Sequence, residues 1–62
     1  MSKTIAEIGD IISWEYNNKI YISEVAIVDV EERHYGVYTE YGQDLIEFDC
    51  AKIEMKTKQN GR

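Results

Sequence analysis

The sequence predicts an all-β fold, a small antiparallel barrel of five strands. Three observations carry the prediction. Isoleucine, valine and tyrosine recur in short runs of the kind that suit a pleated, half-buried surface. Polar, turn-forming clusters separate those runs at close intervals. No segment sustains a long helical period, and the chain contains no proline.

Each element follows in order. "IGDIISWEY" reads as a turn at Gly9-Asp10 and a first strand from Ile11 to Tyr16. "NNK", Asn17 to Lys19, supplies a hairpin turn, because asparagine tolerates left-handed backbone angles. A long second strand, "IYISEVAIVDV", runs from Ile20 to Val30. "EERH" turns the chain into a third strand, "YGVYTEY", from Tyr35 to Tyr41. A turn at Gly42-Gln43 leads to a fourth, "DLIEFD", from Asp44 to Asp49. "CAK" makes a single helical turn before the last strand, "IEM". Helix stays open for the last third, since the apolar residues of "DLIEFDCAKIEM" fit neither period cleanly. Five short strands with one long, bent strand in the middle suggest a barrel of the SH3-like kind, which leaves few exposed edges. Ile12, Val25, Ala26, Val28, Val37, Ile46 and Ile53 are its predicted core.

With 62 residues the chain is expected to be one free-standing domain over 7–55, with flexible termini at 1–6 and 56–62. A domain this small buries only about 60% of its unfolded surface, so its stability rests on close packing. A single cysteine, Cys50, excludes an internal disulfide, and one cysteine with one histidine cannot make a four-ligand zinc site. No cofactor is expected. There is no apolar run of the roughly 20 residues a membrane span needs, and no signal-peptide core, so an intracellular protein without a membrane partner is expected. Between Glu7 and Glu54 lie all twelve acids and three bases, a net charge of −9. Such a body repels phosphate backbones and attracts cations, which argues against nucleic acid as a direct ligand. By itself the charge is also what keeps a small domain soluble.

"VYTEYGQ", Val37 to Gln43, puts two tyrosines three residues apart just ahead of a turn, and a second aromatic pair, Trp14 and Tyr21, flanks the "EYNNKI" hairpin. A small barrel can bring the two turns to one end, where four aromatic faces would form a cage for a large, weakly hydrated cation. In "IGD", "KIYISEVAIVD" and "VYTEYG" the chain resembles the Tudor domain family over Ile8 to about Ile53. The resemblance implies a Tudor-like barrel whose cage falls on Trp14, Tyr21, Tyr38 and Tyr41. It gives Gln43 the place of an asparagine that helps hold the guest. It also implies a guest, symmetric dimethylarginine in arginine-glycine-rich tails, with methyllysine the less favoured choice.

Against this stands the plain structural role of tyrosine in a half-buried strand, which is to cover the core. Tyr16 and Tyr35 fit no cage place and are read as surface or core aromatics. His34 is an expected turn residue. Cys50 lacks a histidine partner and reads as a small buried hydrophobe, and no phosphate loop or paired-carboxylate motif is present. No enzyme is expected. Glu15, Glu24, Glu40, Asp44 and Glu47 form a solvated face, and those nearest the cage would attract an arginine-rich peptide. Two functions therefore stand: a monomeric reader of methylated arginine, or a small acidic interaction or inhibitor protein of phage or bacterial type. The second would bind a basic protein surface through its carboxylates.

Overall fold

In a computed structural model that describes residues 5–56, the chain forms two three-stranded antiparallel sheets. The strands are β1 (Ile11–Tyr16), β2 (Lys19–Glu24), β3 (Ile27–Asp29), β4 (His34–Thr39), β5 (Gly42–Glu47) and β6 (Lys52–Met55). A 3-10 turn, Phe48–Cys50, joins β5 to β6. The first sheet has the order β2-β1-β6 and the second β3-β4-β5. The all-β class is as the sequence predicts; among the described residues the count is six strands, and the two sheets do not close into one barrel.

The sixth strand arises from a break in the long run at 20–30. Val25 and Ala26 leave the ladder because their backbones bond elsewhere. The Val25 amide donates to the Asp10 carbonyl (2.8 Å), its carbonyl accepts from the Gly9 amide (2.9 Å), and the Ala26 amide donates to the Gly36 carbonyl (2.9 Å). The chain is thereby handed from one sheet to the other, with Val25 fully buried at the bend. Asp10 anchors the same corner. Its buried carboxylate accepts from the Glu7 amide (2.8 Å) and pairs with the Lys56 ammonium (3.0 Å).

The two hairpin turns use different devices. Asn17 and Asn18 both take positive φ, 54° and 64°, as a two-residue turn between paired Tyr16 and Lys19 requires. The second turn sits at Glu40-Tyr41, earlier than predicted, so Tyr41 lies beyond the end of β4 and Gly42 begins β5. Gly42 has φ 118°, a conformation that strains any side chain, and nothing crowds it. The helical turn likewise comes earlier than "CAK". It is pinned by the Phe48 amide donating to the Arg33 carbonyl (3.0 Å), with Arg33 lying 5.8 Å over the Phe48 ring.

The core lies between the sheets and comprises Ala6, Ile12, Trp14, Val25, Tyr35, Val37 and Ile46. Val28 and Ile53 pack against it and Ala26 is half-buried, so the predicted core is largely the observed one. Its main additions are aromatic. Tyr35 packs at 4.7 Å against Phe48 with the ring planes tilted by 43°, and its hydroxyl accepts from the Ala6 amide (2.9 Å). The predicted flexible termini lie mostly outside the described residues. Ala6, within them, is instead tied into the core.

Candidate functional site

Strand alternation explains where each aromatic goes. Ile12 and Trp14 are two apart on β1 and so share a face. Ile12 is fully buried, and Trp14 follows it inward to 9% exposure. The β1–β2 register sets Tyr21 opposite Trp14, and the two rings stack with centroids 5.9 Å apart and planes 19° apart. Tyr16, two further along β1 on the same side, passes the end of the core and is 64% exposed.

On the second sheet the alternation runs the other way for Tyr38. Tyr35 and Val37 take the core face of β4, so Tyr38 projects from the opposite face, across from Gln43, and is 61% exposed. Tyr41 stands at the tip of the turn at 87% exposure. A small network fixes that tip: the Tyr41 amide donates to the Thr39 hydroxyl (3.1 Å), which donates to the Gly42 carbonyl (3.2 Å).

Trp14, Tyr21, Tyr38 and Tyr41 all line one open groove of about 940 Å³ between β2 and the β4–β5 hairpin. Among the described residues neither Tyr38 nor Tyr41 stacks on another ring. Gln43 is exposed and is not part of the groove lining. Sequence reasoning passed over Tyr16, which does line the groove. Its spacing of two from Trp14 was the available signal.

The groove is electrostatically one-sided. Glu15, Glu40, Asp44 and Glu47 line it, and among the described residues no lysine or arginine does. Glu24 lies outside it. Cys50, expected to be buried, is exposed and borders the groove instead, because the 3-10 turn faces it outward. Among the described residues no cluster of histidine, cysteine, aspartate or glutamate is arranged to hold a metal ion, and no helix is long and apolar enough to cross a membrane. The arrangement offers aromatic faces and carboxylates together, which suits a cationic guest more than any other class. Comparisons with protein-family models, with curated proteins and with solved structures each found no match.

Proposed function

We propose that the chain is a non-enzymatic binding module that reads methylated arginine in arginine-glycine-rich peptides, on a scaffold of the SH3-like, Tudor-like kind. The observation that carries this reading is the gathering of Trp14, Tyr21, Tyr38 and Tyr41 in one groove that, among the described residues, is lined by carboxylates and by no basic side chain. The bend at Val25-Ala26 supports the scaffold reading, since one continuous segment serves both sheets as a long, bent barrel strand would.

The aromatics divide the work. Trp14 is largely covered by packing and by its stack on Tyr21, so it backs the wall and holds Tyr21 in place. The exposed ring surface belongs to Tyr16, Tyr38 and Tyr41. A methylated guanidinium gains about 0.5 to 2 kcal/mol from each well-placed ring, because methylation weakens its hydration while the charge remains. The carboxylates add long-range attraction that salt screens. Calorimetric titration with an arginine-glycine peptide, unmodified and symmetrically dimethylated, tests the proposal. Tighter binding of the dimethylated form supports it; equal affinity of the two forms removes the methyl-reading role. Equal affinity that still depends on Glu40 and Asp44 would favour the second reading, a carboxylate-driven binder of basic protein surfaces, for which the one-sided charge of the groove speaks.

A further inference from the structure

We infer that the groove takes its cationic ligand as an extended peptide that adds as a strand to the open edge of β5. The inference rests on the reading of this groove as a site for cationic peptides. It does not depend on methylation. Its starting point is which residues line the groove. They include the consecutive residues Tyr21 to Ser23 of β2 and Asp44 to Glu47 of β5. The central strands β1 and β4 add Trp14 to Tyr16 and Tyr38 and Thr39, and beyond them the groove reaches β2 and β5, whose outer edges present backbone N–H and C=O groups. The topology agrees, because β2 and β5 are each the last strand of their sheet.

Asp44 selects the occupant. It pairs with Val37 across β4–β5 and so lies on that valine's side of the sheet, but at the edge, where it is exposed. An inward-pointing charge on an edge strand is a known safeguard against pairing with further strands. Here it sets a carboxylate where an added strand would place its side chains, with Glu47 and Glu40 in the same groove. A second copy of this chain would bring an acidic body to that position. A strand carrying arginine at alternate positions would bring compensating charge, and its backbone would satisfy the open edge.

The test uses an unmethylated alternating arginine-glycine peptide long enough to span the six residues of β5. Two derivatives carry backbone N-methyl groups, one on every glycine and the other on every arginine, so that each loses the hydrogen-bond donors of one edge while keeping its charge. Strand addition predicts that one derivative binds about tenfold or more weakly and the other nearly as well as the parent, because an edge strand uses only alternate donors. It also predicts slowed hydrogen exchange at alternate amides of β5 in the complex. Asp44→Asn, at an exposed position, should weaken the parent peptide several-fold with the fold intact. Equal binding of both derivatives and the parent would overturn the inference, as would β5 amides that neither shift nor gain protection. Self-association through β5 without peptide would give the edge to a second copy and overturn it too. A preference for dimethylarginine without β5 protection leaves the reader standing and removes strand addition; β5 protection without that preference does the reverse.

Discussion

Trp14 and Tyr21 stack across the β1–β2 pair, 5.9 Å between ring centroids and 19° between planes, so that a core residue and a groove residue form one continuous aromatic wall. Binding and stability are therefore coupled at this position. Trp14→Ala should cost about 3 to 5 kcal/mol, a large share of the stability of so small a domain. Urea denaturation monitored by circular dichroism measures the loss. Trp14→Phe should retain most of the fold.

Tyr41 offers the opposite case. At 87% exposure it contributes little packing, so Tyr41→Ala should change stability by no more than about 0.5 kcal/mol. It should nonetheless weaken binding of a dimethylarginine peptide several-fold, as Tyr16→Ala should also do. Tyr35→Ala is the contrasting control, since Tyr35 is a buried core residue and its loss should appear in stability. Thermal melts paired with calorimetry separate the two effects.

Gly36 lies in the middle of β4, where an added Cβ would meet the Ile27 side chain at 3.0 Å. Gly36→Ala should destabilise by about 1 to 3 kcal/mol through overpacking. Ile27→Val in the same chain should recover part of that loss, and a double-mutant cycle measures how much.

Asp10 joins the corner between the two sheets to Lys56 and to the Glu7 amide. Asp10→Ala strands both partners beside a buried position and should lower stability by about 2 to 4 kcal/mol. Lys56→Met should cost less than Asp10→Ala, because it leaves the hydrogen bond from Glu7 in place. Denaturant midpoints of the two variants rank them.

Affinity for arginine-rich peptides should fall as salt rises, because Glu15, Glu40, Asp44 and Glu47 supply the attraction in the groove. Titrations in low and high sodium chloride give the slope. Duplex DNA should show no tight binding at physiological salt. Tight binding to a generic duplex would contradict the argument from the acidic body.

Much of the fold could be read from local chemistry. Asn17-Asn18 is a turn because few other residues adopt two consecutive positive φ angles, and the alternation in β4 and β5 marks Val37 and Ile46 as core. The break at Val25-Ala26 was hidden. Both residues extend a run of good strand formers, and what removes them from the ladder is bonding to Asp10, Gly9 and Gly36, distant in sequence. Ala6 was hidden for the same reason, since its amide bonds to the hydroxyl of Tyr35, distant in sequence. At the site, Tyr38 and Tyr41 were legible from the turn beside them. The inward pull on Trp14 was legible too, in its spacing from Ile12. Gln43 could not be placed without the register that sets it opposite Tyr38 and outside the groove.

The most direct test of the central claim is a titration of the folded protein with free symmetric dimethylarginine, followed by the Trp14 indole N–H and the backbone amides in nitrogen-15 correlation spectra. Binding in the aromatic groove predicts saturable shifts at Trp14, Tyr21, Tyr38 and Tyr41 at millimolar ligand, larger than those caused by unmodified arginine, while Tyr35 stays unmoved. No shift at the four aromatics, or identical shifts with the two ligands, would contradict it and leave Trp14 and Tyr21 as packing residues and Tyr38 and Tyr41 as exposed rings with no methylated guest.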